Sequence, residues 1–363
     1  MFKKVYSLLF IVVLLLALSG CGNNDIKEKD SAADTVSTAD ADLSNTADAD
    51  IRNTADADSF NTEDATNKMP VVRVGSLKGP TSMGLVNLMK KVENKETAVD
   101  YKFTMETQPD VLAAEFIKGD IDIALVPANM AAILYKKTEK NAVVIDVNTL
   151  GVLYCVTADE SISSIKDLSN KTLITTGQGA SPEYVLKYLL EKNEITDCTL
   201  EFKSEASEIA AILKEDKDAI AVLPQPFVTV AEAQNPDLKT AFSLTDEWEK
   251  VDSNSQLLTG VTVVRKDFIM DNMDLVEDFL QEHMGSASAA ENDTQNTANL
   301  VAEYGIIEKK QIAEKALPEC NIVCITGKNM KRALEGYLSV LYNMDPSSVG
   351  GSLPQDDFYY VVE

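Results

Sequence analysis

Histidine is nearly absent from this sequence. The 363 residues contain one, His283, in a stretch that reads as an amphipathic helix and is expected to leave it at the surface near the helix end. A Ser-His-Asp triad, a Cys-His pair and a histidine-based transition-metal site each need an imidazole beside other reactive groups, so none is supported. No metal, no cofactor and no catalytic residue is expected, and the chain reads as no enzyme. Positive charge is also short, with 33 Lys and Arg against 58 Asp and Glu and a net charge of −25. No cluster of Lys and Arg interleaves with aromatics, which make up 6% of the chain, and nucleic acid is thereby excluded as a partner. Residues 22–70 hold twelve acids against four bases and residues 1–21 two lysines, which leaves −19 on the remainder. The folded part is acidic in its own right, and that charge reads as a solvated surface.

One long apolar run stands out, from Leu8 to Leu18, and it is too short to span a bilayer. Lys3 and Lys4 before it and Leu18-Ser19-Gly20-Cys21 after it make an export signal. The ending resembles a bacterial lipobox, which implies that Cys21 becomes the acylated first residue of a mature protein tethered to the outer face of the cell membrane. The other cysteines are Cys155, Cys198, Cys320 and Cys324. Three of them lie in apolar, strand-like runs, so buried free thiols and two disulfides both stay open.

From Gly22 to Met69 the chain turns to Asp, Ala, Thr, Asn and Ser, with Phe60 its lone aromatic. Thr-Ala-Asp-Ala-Asp begins at Thr38, Thr46 and Thr54, and a degenerate copy at Thr62, an eight-residue repeat. It lacks the glycines of a β-solenoid or calcium-binding array and has too little apolar surface to fold. A disordered acidic tether is expected, with an end-to-end distance of roughly 35–40 Å.

After Met69 the length suffices for two compact lobes. The rest of the chain is organised around Val71 to Lys91. Val71, Val72 and Val74 form a β-branched run, Gly75 to Pro80 a glycine- and proline-rich loop, and Leu85, Leu88, Met89 and Val92 recur at helical spacing. Thr81 or Ser82 is placed to cap that helix, whose free N–H groups would face whatever sits above the strand. Similar corners recur at Val126-Pro127-Ala128-Asn129, at Thr176-Gly177-Gln178-Gly179-Ala180-Ser181-Pro182 and at Leu223-Pro224-Gln225-Pro226. Four such corners around one cleft would make a site.

Strand-like and helical runs alternate through this region, as in an α/β fold. Pro109 to Val126 puts a helix ending near Gly119 before a nearly continuous apolar strand, the pattern of a parallel strand covered on both faces. Leu150 to Val156 and Leu257 to Val264 are extended and bracket a second lobe inserted into the first. Past Lys266 the pattern is mostly helical: Val276–His283, Thr294–Tyr304, Lys309–Ala316 and Met330–Leu341, with a break at Leu317 to Ile322. The expected division is a signal at 1–21, a tether at 22–69, a first lobe at 70–155 and 260–363, and a second at 156–259.

Gly75-Ser76-Leu77-Lys78-Gly79-Pro80-Thr81-Ser82-Met83-Gly84, Gly119-Asp120-Ile121-Asp122-Ile123-Ala124, Ile165-Lys166-Asp167-Leu168 with Lys171, and Leu223-Pro224-Gln225-Pro226 follow one another in this order behind the lipobox. Together they resemble a type II periplasmic binding protein of an ABC importer, in the nitrate, sulfonate, taurine and thiamine-precursor group. The resemblance covers roughly 70–345. It implies a two-lobed α/β fold, each lobe a mostly parallel sheet flanked by helices, joined by two crossovers and closing on a small molecule. Carried over by position, Ser76, Leu77, Lys78, Thr81, Ser82 and Met83 would line the first-lobe side with Ala128 and Asn129. Gln178, Ala180 and Ser181 would face them with Gln225 and Pro226, and Tyr154 near the crossover would stack on a flat ligand. Lys78 is the single cation in these loops, which favours a neutral or weakly anionic, aromatic or heterocyclic solute.

The implied function is a monomeric, lipid-anchored solute receptor that hands a small molecule to ABC permease subunits. The alternatives are a ligand-sensing or adhesion lipoprotein, or an enzyme on the same fold, which some menaquinone-pathway and thiamine-pyrimidine enzymes resemble.

Overall fold

The computed structural model describes residues 71–361. The expected signal segment, the acylation site at Cys21 and the acidic repeat lie outside the described residues.

In chain order the strands are β1 (Val72–Leu77), β2 (Tyr101–Glu106), β3 (Ile123–Pro127), β4 (Ala142–Leu150), β5 (Leu153–Thr157), β6 (Thr172–Thr175), β7 (Thr199–Phe202), β8 (Ile220–Pro224), β9 (Lys239–Ser243), β10 (Leu258–Arg265) and β11 (Ile322–Thr326). They form two sheets, a six-stranded one ordered β11-β4-β10-β3-β1-β2 and a five-stranded one ordered β7-β6-β8-β5-β9. In the first, β1 lies parallel between β2 and β3, whereas β10 runs antiparallel to both β3 and β4, and β11 antiparallel to β4. In the second, β6 is parallel to β7 and β8, and β5 antiparallel to β8 and β9. Most strands of each sheet therefore point one way. Two of the antiparallel members, β5 and β10, enter where the chain crosses between the sheets, and β11 joins the first sheet later, from within the same lobe.

The period of two along the central strands explains why helices cover both faces. In β3, Ala124 and Val126 join the large core between the sheets' helices, and Ile123 and Leu125 join a separate core with Val72, Val74, Leu88 and Phe279. In β5, Leu153 and Cys155 face that large core, and Tyr154 and Val156 a third one with Ile209, Leu213 and Leu223. All these residues are buried. The GDIDIA run has a second task. Asp122, 2% exposed, accepts from the backbone N–H of Arg73 at 3.0 Å and from its Nε at 2.8 Å, and so fixes the entry of β1.

The extended run from Leu150 to Val156 breaks at Gly151–Val152, and β5 already belongs to the second sheet, ahead of the expected division at 155/156. A Cβ on Gly151 would come 2.2 Å from Thr245 Oγ1 and 2.9 Å from Leu257, so the crossover needs glycine here. The return leg is β9, the helix Leu244–Val251 and β10. Two strands went unread in the sequence. β9 is too short and too polar to show as apolar alternation, and β11 begins inside the expected break at Leu317 to Ile322.

His283 corrects another expectation. It lies in the middle of the helix Met273–Asn292 and is 0% exposed, with Nδ1 3.2 Å from Oδ2 of the equally buried Asp146. The helix is amphipathic as expected, but His283 stands on its buried face with Val276, Phe279, Ser286 and Ala287, while Gln281 and Met284 are exposed. Cys155 and Cys320 are buried and Cys198 and Cys324 half-buried, and all are free thiols.

Candidate functional site

A cavity of about 550 Å³ opens where loops of the two sheets meet. Its walls are the end of β3 and the start of the following helix (Pro127, Asn129, Met130), the crossover (Gly151, Val152, Leu153), the loop after β6 (Thr176 and Gly179 to Pro182) and the end of β8 at Pro224. Leu257, Leu258 and Thr259 enter from the return crossover, and Tyr337 from the helix Gly327–Met344. Ligand clefts of open α/β folds lie at such carboxyl ends of strands, where the chain changes sheet.

Most of this lining is aliphatic. Its polar part centres on Asn129, the second residue of the helix Ala128–Lys137. The Ser181 hydroxyl, at the first position of the helix Ser181–Lys192, donates across the cleft to Asn129 Oδ1 at 3.1 Å, and Asn129 Nδ2 donates to the Ser348 carbonyl at 3.2 Å. Tyr184 continues the bridge, its hydroxyl donating to Asp345 at 3.1 Å. Tyr337 is 1% exposed. Burial pushes its phenol up to about 12, against the pull of the Ser181 hydroxyl. The charged group in this wall is Asp110, in the first turn of the helix Pro109–Lys118.

Of the residues expected at the site, the structure brings Asn129, Ala180 and Ser181 into the wall. The first corner turns inward instead. Ser76, Thr81, Ser82 and Met83 are buried, with Ser76 Oγ 2.7 Å from Ser82 Oγ, and the Thr81 and Ser82 hydroxyls donating to the Leu77 carbonyl at 2.9 and 2.6 Å. They act as donors to the preceding strand and do not cap the helix Pro80–Met83, whose N-cap is Gly79. Met83 packs at 3.8 Å from the Cys320 sulfur. Leu77 is half-buried, Lys78 exposed, and neither belongs to the wall.

Tyr154, expected to stack on a ligand, is 5% exposed and donates its hydroxyl to the Glu319 carbonyl at 2.8 Å, so its ring lies in the core. Burial, then the neighbouring Glu319, raise its pKa. Gln225 is also turned in, its Oε1 accepting from the Thr229 hydroxyl at 3.0 Å, and it precedes a cis peptide bond to the half-buried Pro226. Ala128 is buried and Gln178 exposed, both outside the wall. Sequence reasoning missed the aliphatic wall and Tyr337. Val152, Leu257 and Leu258 look in sequence like any strand end, and Tyr337 like a core position of an amphipathic helix.

A two-lobed α/β fold with its cleft at the crossovers is the type II periplasmic-binding-protein architecture, and solved structures bear this out. An ABC transporter protein from Parabacteroides distasonis superposes with a TM-score of 0.68 at 23% identity, over 81% of this chain and 99% of that one. The periplasmic aliphatic sulphonate binding protein SsuA of Escherichia coli matches with a TM-score of 0.63 at 12% identity, over 81% and 94%. A sulfonate-binding SsuA from Methylobacillus flagellatus gives 0.58 at 16% identity, over 81% and 92%. No curated protein sequence matches the chain.

The chain belongs to the menaquinone biosynthesis family, whose model matches residues 69–342. That match overturns the expectation that it is no enzyme, since the family is one of biosynthetic enzymes. The scarcity of histidine on which that expectation rested excludes particular triads, not catalysis by a cleft that orients and desolvates its ligand.

Proposed function

We propose that this protein captures a small, uncharged, largely apolar organic molecule, aromatic or heterocyclic, between its two lobes. The observation that carries this reading is the cleft of about 550 Å³ at the crossovers, aliphatic on most sides, with Asn129, Ser181 and Tyr337 as its polar group. A sulfonate or nitrate is served best by cations, and the charged group of the wall, among the described residues, is the carboxylate of Asp110. Exported and acylated at Cys21, the protein would work at the outer face of the membrane. It would there present its ligand to ABC permease subunits, a reading supported by the names of the Parabacteroides distasonis and Methylobacillus flagellatus proteins, which call them ABC transporter proteins.

The family match favours a second reading, in which the captured molecule is transformed while held. Native mass spectrometry on protein purified without refolding, followed by incubation of the recovered molecule with fresh protein, separates the two. An intact retained molecule that raises the melting temperature supports capture. A change in its mass on incubation supports turnover. No retained molecule, and no thermal shift across pyrimidines, flavins, naphthoates, sulfonates and amino acids, removes the support for a small-molecule cleft.

A further inference from the structure

Away from the cleft, three residues distant in sequence meet beneath the first sheet. Asp146 comes from β4, His283 from the helix Met273–Asn292 and Cys324 from β11, and one ligand-type atom from each lies within 4.8 Å of the other two. Asp146 and His283 are 0% exposed, whereas Cys324 keeps some exposure and marks the way in. The carboxylate is held from behind. Its Oδ1 accepts from the Thr262 hydroxyl at 2.9 Å, and Thr262 Oγ1 accepts in turn from Asn148 Nδ2 at 3.1 Å, which leaves Oδ2 aimed at His283 Nδ1, 3.2 Å away. Such outer contacts are what orient metal ligands. The pairing of β11 with β4 shifts register between Ile322 and Ile325, and Cys324 lies in that irregular stretch, where a strand re-aims its side chains.

An imidazole-carboxylate pair alone leaves one feature of this cluster without a purpose, the half-buried thiol that stands beside it. We propose that Asp146 Oδ2, His283 Nδ1 and Cys324 Sγ bind one divalent cation of zinc-like softness, a site that would clip β11 and the helix Met273–Asn292 to β4. One oxygen, one nitrogen and one sulfur suit a borderline-soft ion and not calcium or magnesium, which take oxygen ligands throughout. Bonds of about 2.0–2.3 Å in a tetrahedron set ligand atoms roughly 3.3–3.8 Å apart. The oxygen and nitrogen already stand close to that spacing, 3.2 Å apart, and the sulfur, which lies within 4.8 Å of its two partners, has to move inwards by roughly 1 Å to join them. Water would complete the tetrahedron.

The test uses the intact purified protein, stripped with a chelator and titrated with cobalt(II) and zinc(II). The expected result is one tight equivalent, a near-ultraviolet sulfur-to-cobalt band, and a rise in melting temperature with zinc. Cys324→Ser should abolish the band and weaken zinc binding at least tenfold, with the far-ultraviolet spectrum of the protein unchanged. Cys198→Ser and Cys320→Ser should retain both. No stoichiometric binding to the native chain, or a sulfur band that survives Cys324→Ser, overturns the proposal.

Discussion

The cross-cleft bond from Ser181 to Asn129 offers a sharp test of how the two lobes are held. Asn129→Ala removes the acceptor of the Ser181 hydroxyl and the donor to the Ser348 carbonyl. Ser181→Ala removes the first of these and the contact with Tyr337. Each hydrogen bond contributes about 0.5–1.5 kcal/mol net, so Asn129→Ala should cost about 1–3 kcal/mol and Ser181→Ala about 1 kcal/mol. The informative quantity is the coupling between them. In a double-mutant cycle the orphaned Ser348 carbonyl and the altered Tyr337 contact appear on both sides and cancel, which leaves the cross-cleft bond. Urea denaturation of wild type, both single variants and the double variant should give a coupling of about 1 kcal/mol, a factor of about five in the equilibrium. If this bond holds the binding-competent closed arrangement, the same factor should separate the variants in affinity for whatever molecule the protein retains. Additivity within about 0.3 kcal/mol would show that the lobes are not joined by this bond and refute the account of the cleft given above.

Tyr154→Phe should lower stability by about 1–2 kcal/mol through loss of the bond to the Glu319 carbonyl and leave ligand affinity within about twofold. A tenfold loss of affinity at unchanged stability would return Tyr154 to the ligand. Asp122→Ala should lower the urea midpoint by the equivalent of about 2–4 kcal/mol, since it strands the N–H of Arg73 at the start of β1, and a surface-like loss under 0.5 kcal/mol would contradict that role. Alkaline pH should destabilise the fold. Burial holds the Cys320 thiol and the Tyr188 and Tyr337 phenols up to about 12, above their ordinary values of 9.0 and 10.0, so the native state binds more protons than the unfolded chain in that range. The stabilisation they supply is complete below about pH 9 and is lost as the pH rises towards 12, and a melting temperature that stays level across that window would contradict it. The same burial should keep Cys155, Cys320 and Cys324 unreactive to thiol reagents at pH 8 until the protein unfolds, with Cys198 labelled first; rapid labelling of Cys155 in the native state would be the contrary result.

Composition and local pattern carried the class of fold by themselves. The apolar runs of β3 and β8, each bounded by a proline and followed by helical spacing, specify strand, corner and helix without reference to any other part of the chain. Two extended segments far apart in sequence were enough to suggest an inserted lobe. Local pattern also placed Asn129, Ala180 and Ser181 at helix starts above strand ends, where geometry directs them to a cleft.

What the sequence could not decide was which polar side chains face outwards and which satisfy their own backbone. The hydroxyls of Ser76, Thr81 and Ser82 and the amide of Gln225 are chemically as fit to hold a ligand as those of Asn129 and Ser181, yet they bond inwards. The difference lies in what each one meets: β10 lies across Thr81, where a Cβ on Gly260 would stand 2.8 Å from its methyl group, and Gln225 turns to the Thr229 hydroxyl. The meeting of Asp146 with His283 across 137 residues, and of both with Cys324, is a tertiary fact of the same kind. A hydrophobic period fixes the face on which a residue stands. Only the packing of one element on another decides what it meets there.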